Sequence, residues 1–436
     1  MGLKSKIKKI IPARLISFYH LFLAFLAGVF YRWPTKKMIT VGITGTKGKT
    51  SAANFIWSVL NSNGIKAGII GTAQIRIGDV EIPNKYHMTM PGRFVLQKYL
   101  KKMADAGCEY CVIETTSQGL AQWRHFGIFY DIAIFTNLTP EHLESHGGFE
   151  NYKKSKGKLF SSLARGGQKT IGGKKIEKTI IANFDSPHKN YFLDFPADKK
   201  ITYGLIGGDF AARDVKNTAG DLEFFIGPEK YDLNVLGRFN VYNALPAIIV
   251  GSLAGLPYDK IKSGLEKLKT IPGRMEKIDA GQNFYVFVDY AHERASMSAA
   301  LDAAREIAET GARVIAVIGS EGGGRDKIKR SDLGEIAAKK ADIVVITATD
   351  PYEEDPKKIC EEIAAAAERF GKVRGENLYI IEDRRKAIAE AISFAGRNDI
   401  ILVTGMGAQQ SMIVGEKHIR WDDRIVVREE LEKLKN

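Results

Sequence analysis

The sequence predicts an α/β protein: two successive parallel-sheet domains behind a hydrophobic N-terminal helix. Three observations predict it. Short runs rich in Val and Ile alternate with helical patterns along most of the 436 residues, as the strands and covering helices of a parallel sheet do. That alternation pauses near residue 271 and begins again, dividing the body into residues 38–270 and 271–436. The first 37 residues carry Lys4, Lys6, Lys8, Lys9, Arg14, Arg32, Lys36 and Lys37 without one acidic residue, so +8 of the net charge of +13 lies there.

The elements follow in order. Residues 15–31, "LISFYHLFLAFLAGVFY", contain no charged side chain and follow the basic "KSKIKK". A secretory signal has this polarity, but no small-residue cleavage site follows, and a full span needs about 20 apolar residues. Two readings stay open: a helix lying in an anionic membrane surface, or one packed on the protein's own body or a second subunit. The body starts with "MITVGITG" as a strand, 50–63 as a helix, "KAGIIGT" as a strand and 93–106 as a helix. The strands "YCVIETTS" and "DIAIFTNL" come next. Residues 165–236 read as short, irregular strands that decorate the sheet edge, and "GRFNVYNALPAIIVGSLAG" opens a helix. After "LKTIPGRMEKI" the strands "FYVFVDYA", "RVIAVIGS", "DIVVITA", "NLYII" and "DIILVTG" are each separated by a helical pattern, so the second domain is Rossmann-like.

Composition narrows the class. Apolar residues at 44% and charged residues at 26% suit a globular protein with a sizeable core. Cys108, Cys111 and Cys360 are too few for a disulfide framework and fit a reducing, cytoplasmic compartment. "CEYC" is formally C-x-x-C, but it lies in an apolar run and reads as a buried strand. Positive charge gathered at one end argues against a general nucleic-acid surface.

Chemistry concentrates in "GITGTKGKTS", residues 42–51, between the first strand and a helix. The strict P-loop form G-x-x-x-x-G-K-[ST] fails, because Ile43 stands five before Gly48. G-T-K-G-K-T remains, and the physics survives: backbone N–H groups and a helix N-terminus face the phosphates. Gly45, Thr46, Lys47, Gly48, Lys49, Thr50 and Ser51 are therefore the phosphate-loop candidates. Lys49 has the reach for β- and γ-phosphates, and Thr50 the hydroxyl for Mg²⁺. Glu114 ends a strand and His142 follows another, which places both near this loop at the carboxyl ends of the sheet. His142 and His146 at i, i+4 suggest zinc in isolation, but no third ligand has suitable spacing. His146 reads as a local structural residue.

Further stretches sharpen this: "VIETTSQGLAQWRHFG" (112–127), "FTNLTPEHLESHGGFENYKKSKGKLF" (135–160), "GRFNVYNALPA" (237–247), "IPGRMEKI" and "VFVDYAHERASM". Together, over residues 38 to about 425, they resemble the Mur ligase family in order and spacing, and within it the branch that adds the third residue of the peptidoglycan stem peptide. The resemblance implies an ATP-dependent, ADP-forming amide ligase of cell-wall synthesis, acting as a cytoplasmic monomer. A substrate carboxylate attacks the γ-phosphate to give an acyl phosphate, and an amine then displaces phosphate. It implies Lys49, Glu114, His142 and Lys156 as catalytic residues. Thr50, Glu114, His142 and Lys156 would surround two Mg²⁺ sites, with Lys156 carbamylated by CO₂. By the same resemblance Asn240 and Asn243 lie on the adenine side, Arg274 reaches ATP, Asp289 binds ribose, and His292 lies near the phosphates. The C-terminal domain is expected to close on nucleotide held by the central one. Thr89, Thr116, Gln122 and Arg124 fall on the acceptor side, with Arg124 for an acceptor carboxylate. Asp350 and Tyr352 lie in the amino-acid-selecting segment.

Departures from the family pattern limit the substrate. The family's N-terminal domain, which binds the UDP-sugar of the acceptor, has no counterpart in the 37 leading residues. "ATDPYEEDP" carries Tyr352 where diaminopimelate-selecting members carry arginine. "GMGAQ" (405–409) replaces "GKGHE", leaving Ala408 and Gln409 for its histidine and glutamate. "GSEGGGRDKIKR" (319–330) has one extra residue. Diaminopimelate is therefore disfavoured, and lysine, another amino acid or a membrane-linked acceptor stay open. Two rival readings are a folylpolyglutamate- or cyanophycin-type ligase, and a non-catalytic, membrane-bound nucleotide-binding partner. An inactive relative is expected to have lost Lys49, Glu114, His142 or Lys156, and all four stand in the sequence.

Overall fold

The computed structural model describes residues 12–84, 86, 88–141, 146–217, 222–324 and 327–435. The chain forms two compact units. One comprises Met1–Arg213, Ile226–Glu229 and Tyr242–Lys267, the other Asp214–Phe225, Lys230–Val241 and Leu268–Asn436.

In the first unit six strands run parallel, in the order Lys199–Gly204, Thr179–Asn183, Ile132–Phe135, Ile39–Thr44, Tyr110–Glu114 and Ala67–Ile70. The central strands are buried along almost their whole length, which is why they read as unbroken apolar runs. Antiparallel strands Gln74–Ile77 and Val80–Pro83 close one edge. Residues 165–236 meet the sequence expectation in part: Phe210–Asn217, Leu222–Ile226 and Glu229–Leu233 are edge strands, whereas Thr179–Asn183 and Lys199–Gly204 continue the parallel sheet. Their apolar runs are short and flanked by Lys and Gly, so periodicity over a longer window hides them. Helices Arg93–Asp105 and Phe149–Arg165 bury Leu96, Leu100, Leu159 and Phe160 in one cluster with Ile113, Ala133 and Phe135. Helix Lys49–Asn61 packs with Tyr258–Glu266, where Ser58 Oγ donates to Gly264 O at 2.6 Å.

The amino end of this sheet is tied by a buried ionic knot. Lys169 Nζ lies 2.5 Å from Asp131 Oδ2, and Lys178 Nζ lies 3.0 Å from Asp131 Oδ1. Lys169 also donates to Thr35 O and Met38 O, each at 2.8 Å. Ahead of the first strand, helix Ala13–Phe30 rests against Arg93–Asp105 through buried Ala24 and Ala27. Among the described residues no helix is long and apolar enough to cross a membrane.

The second unit has its own parallel sheet: Tyr285–Asp289, Ile400–Thr404, Val314–Ile318, Ile343–Ile346 and Leu378–Ile380, with Glu276–Lys277 antiparallel at one edge. Helices Arg294–Ile307, Ile328–Lys340 and Pro356–Arg369 share one core cluster, and Arg384–Phe394 with Asp423–Glu432 share another. Ile400–Thr404 sits between two earlier strands, so the loops that follow it meet neighbours whose helices leave toward the other face, the place where such sheets bind ligands.

Candidate active site

The loop after Ile39–Thr44 is held by backbone geometry that only glycine adopts without strain. Gly45 has φ 154° and Gly48 φ 85°. A Cβ at Gly45 would stand 1.9 Å from Thr136 Oγ1, and one at Gly48 would stand 2.3 Å from Asn243 Oδ1. Gly48 caps helix Lys49–Asn61, so the first N–H groups of a thirteen-residue helix open onto the loop. The loop is fixed from outside as well. Thr46 N donates to Asn137 O at 2.9 Å, Lys47 N to Asn137 Oδ1 at 2.9 Å, and Thr136 Oγ1 to Lys47 O at 2.7 Å.

Lysines crowd this loop. Lys49 Nζ donates to Gly45 O and Thr46 O, both at 2.9 Å, and Lys156 Nζ donates to the same Gly45 O at 2.8 Å. Lys47 turns away to Glu141, 2.9 Å distant. Lys156 comes from the inward face of Phe149–Arg165, is only 2% exposed, and lies 4.4 Å from the Tyr152 ring centroid. Burial first, and then the charge of Lys49, hold its amine well below the ordinary lysine range.

Beside the lysines stands a set of hard oxygen donors. Glu114, 1% exposed at the end of its strand, receives Thr50 Oγ1 at 2.9 Å, Thr72 Oγ1 at 3.1 Å and Thr72 N at 2.9 Å. Thr72 Oγ1 in turn lies 2.9 Å from Thr89 Oγ1. A buried carboxylate ringed by hydroxyls, one of them on the first turn after a phosphate loop, matches the oxygen-only chemistry that Mg²⁺ requires. His142 lies outside the described residues. His146 contacts Ser117 Oγ at 3.1 Å and Ser155 Oγ at 3.5 Å, a local structural arrangement.

The segment after Glu114 supplies a second cluster. Thr116 caps helix Ser117–Ala121, its Oγ1 accepting from Gly119 N at 3.1 Å. Gln122 Oε1 accepts from Arg124 Nη2 at 2.8 Å, and Arg124 Nη1 donates to Met90 O. Arg93 Nη2 donates to Gln122 O at 2.7 Å. Burial, and then the neighbouring Arg93, hold the Arg124 guanidinium below its usual range. Two half-buried guanidiniums that repel one another form a site suited to an anion. Sequence reasoning missed Arg93 and Thr72. Thr72 could have been found from its place just past the carboxyl end of Ala67–Ile70, whereas Arg93 carries no local signal beyond opening a helix.

In the second unit Arg274, Asp289 and His292 gather around Tyr290, which sequence reasoning did not single out. The Arg274 guanidinium is 4.7 Å from its ring centroid, the His292 ring 4.6 Å. Asp289 accepts Met275 N and Ala291 N, each at 2.7 Å, and so also builds the turn it stands on. Gln409 Nε2 approaches Tyr290 Oη at 3.4 Å. Asn240 Nδ2 donates to Leu236 O at 2.7 Å. Asp350 and Tyr352 have φ 40° and 52°, strained for non-glycine residues. Asp350 Oδ1 accepts Ile413 N at 2.7 Å, and Tyr352 bonds Ile413 and Gly415 through its backbone.

A glycine loop at a helix N-terminus, two converging lysines and a buried carboxylate–hydroxyl pair define a nucleotide-dependent phosphoryl-transfer enzyme. Residues 43–251 match the Mur ligase middle domain and residues 273–407 the Mur ligase, glutamate ligase domain. The chain belongs to the Mur ligase family, and is thus an ATP-dependent, ADP-forming ligase that uses Mg²⁺. It is 38% identical over 433 residues to a UDP-N-acetylmuramyl-tripeptide synthetase of Roseiflexus sp. (strain RS-1), covering 97% of this chain and 84% of that one. It is 36% identical to a UDP-N-acetylmuramoyl-L-alanyl-D-glutamate–2,6-diaminopimelate ligase of Geobacillus kaustophilus (strain HTA426), covering 96% and 84%. Among solved structures, a diaminopimelate ligase of the same description has TM-score 0.61 at 26% identity, over 92% of this chain and 79% of that one. The Mycobacterium tuberculosis folylpolyglutamate synthase complexed with ADP shares the fold, with TM-score 0.69 at 19% identity over 88% and 91%.

Proposed function

We propose that this ligase joins an amino acid to the free carboxyl of a muramoyl-peptide-type acceptor, by way of an acyl phosphate, in peptidoglycan-precursor synthesis. The observation that carries the reading is the convergence of Lys49 and Lys156 on Gly45 O beside the buried Thr50–Glu114 pair. Lysine charge at the phosphate loop and the N-terminus of Lys49–Asn61 stabilise the negative charge that spreads over the transferring phosphoryl group. Mg²⁺, when bound, neutralises phosphate charge, and Thr50 and Glu114 are the residues that would hold it, with His142 as the family's further ligand.

Lys156 carries the modification in this reading. Its amine, in the deprotonated form, attacks CO₂, a C–N bond forms, one proton leaves, and the product is an anionic carbamate suited to a second Mg²⁺. The lowered proton affinity of Lys156 and its burial support that step. Asn240, Asn243, Arg274, Asp289 and His292 serve the nucleotide. Thr89, Thr116, Gln122 and Arg124 serve the acceptor, with Arg93 added to them. Tyr352 and Gln409 stand where diaminopimelate-selecting members carry arginine and glutamate, so the charges that would pair with a distant carboxylate and ammonium are gone. Diaminopimelate is therefore disfavoured as the amino acid added. The enzyme works as a monomer in the cytoplasm, peripheral at the inner face of the membrane through residues 1–31.

The test is phosphate release from ATP and Mg²⁺ across a panel of peptide acceptors, UDP-linked and lipid-linked, crossed with amino acids. Turnover that needs both an acceptor and one amino acid is the expected result. ATP hydrolysis independent of both, or none with any pair, contradicts the reading.

A further inference from the structure

The chemistry above leaves the outer face of helix Ala13–Phe30 unused. Its inner stripe meets the body through Ser17, Ala24 and Ala27. Its outer stripe has large apolar side chains at positions 15, 18, 19, 22, 25, 26, 29 and 30, each 37% to 71% exposed. At helical spacing these positions fall within one arc of about 140°. Phe94 extends the patch onto the body, 41% exposed and with its ring centroid 6.4 Å from that of Phe30. Soluble monomers rarely leave a continuous apolar stripe of this extent in water.

Charge decides what covers it. Residues 1–37 hold eight basic residues and no acidic one, and Arg32, Lys36 and Lys37 are exposed. A second copy would bring the same positive charge against itself, whereas an anionic lipid surface complements both the apolar stripe and the charge. The exposed stripe runs along the side of an 18-residue helix, about 27 Å long, so such a surface would meet it lengthwise.

The same helix abuts the acceptor cluster. Trp123 Nε1 donates to Ser17 Oγ at 2.8 Å, between Gln122 and Arg124 in sequence. Phe94, whose ring meets that of Phe30, follows Arg93 in sequence, and Arg93 itself donates to Gln122 O at 2.7 Å. We infer that helix Ala13–Phe30 seats the enzyme on an anionic membrane surface beside the Arg93–Arg124 cluster, and that the acceptor is a lipid-anchored peptide whose anionic groups those arginines take. The second half rests on the acceptor role proposed above for Arg124.

The experiment uses the full chain and a Phe18→Ser/Phe22→Ser/Phe25→Ser variant. Both are floated with phosphatidylglycerol–phosphatidylcholine vesicles and with phosphatidylcholine alone, and both are assayed with soluble UDP-linked and vesicle-borne lipid-linked acceptors. The wild type is expected to float with the anionic vesicles only, and the variant to bind at least about tenfold more weakly. The variant's kcat/KM should fall by a similar factor for the lipid-linked acceptor alone, and ATP should still raise its Tm, which reports an intact fold. A wild type that stays soluble with both vesicles overturns the inference. So does a wild-type dimer that the triple substitution turns into a monomer, since a second copy then covers the stripe. Flotation with turnover only on the UDP-linked acceptor overturns the lipid-anchored half. Flotation with no ADP from any acceptor supports the anchor and overturns the ligase reading, with the acceptor half that rests on it.

Discussion

Lys156 and Lys169 are both almost fully buried in the same unit, 2% and 7% exposed, yet they stand at opposite ends of its parallel sheet with opposite surroundings. At the amino end, Lys169 and Lys178 share the Asp131 carboxylate at 2.5 and 3.0 Å, and backbone carbonyls take their other protons. At the carboxyl end, Lys156 meets the Gly45 carbonyl and the Tyr152 ring, with the like charge of Lys49 nearby. Lys169 is a structural tie, and Lys156 is the amine proposed above for carbamylation. Burial alone does not distinguish them. Burial lowers the proton affinity of both amines; the Asp131 carboxylate pulls Lys169 back up, whereas the like charge of Lys49 pushes Lys156 further down.

The comparison breaks most severely at Asp131. Asp131→Asn leaves Lys169 and Lys178 buried without their counter-charge and is expected to cost roughly 3–5 kcal/mol of unfolding free energy. Urea denaturation measures this, while KM for ATP in the folded fraction should stay within about twofold. A loss below about 1 kcal/mol would mean the two lysines find solvent instead.

Next comes Glu114→Gln, which keeps the hydrogen bonds' shape but removes the charge facing Thr50. The Mg²⁺ concentration giving half-maximal ADP formation should rise on the order of tenfold or more. An unchanged Mg²⁺ requirement would take the metal away from this pair.

The smallest effect sharpens the contrast through pH. The folded chain binds the Lys156 proton less tightly than the unfolded chain, whose ordinary value is 10.5. In CO₂-free buffer the wild type should therefore gain stability relative to Lys156→Met as pH rises toward that value. A difference that stays flat, or falls, over that range would mean Lys156 keeps a charged partner.

Much of this was legible in the residues. The phosphate loop, Glu114 and the five strands of the second unit stand out because each couples a local pattern to a predictable edge of a sheet. Lys156 was harder, since Lys153, Lys154 and Lys158 share its helix. Its inward direction appears only beside buried Tyr152, Leu159, Phe160 and Leu163 at helical spacing. The Asp131 knot was hidden because its partners lie 38 and 47 residues away. The Arg93–Arg124 cluster was hidden for the same reason, a proximity that exists only after helix Arg93–Asp105 has packed.

At the carboxyl end of the first sheet, Lys156 is proposed to be the amine that CO₂ modifies. The most direct measurement is ¹³C NMR of the intact enzyme in [¹³C]bicarbonate with Mg²⁺ and ATP. A carbamate resonance that disappears in Lys156→Ala, together with ADP formation that falls when CO₂ is removed and returns with bicarbonate, is the predicted result. Full activity in CO₂-free buffer with no carbamate resonance would contradict it.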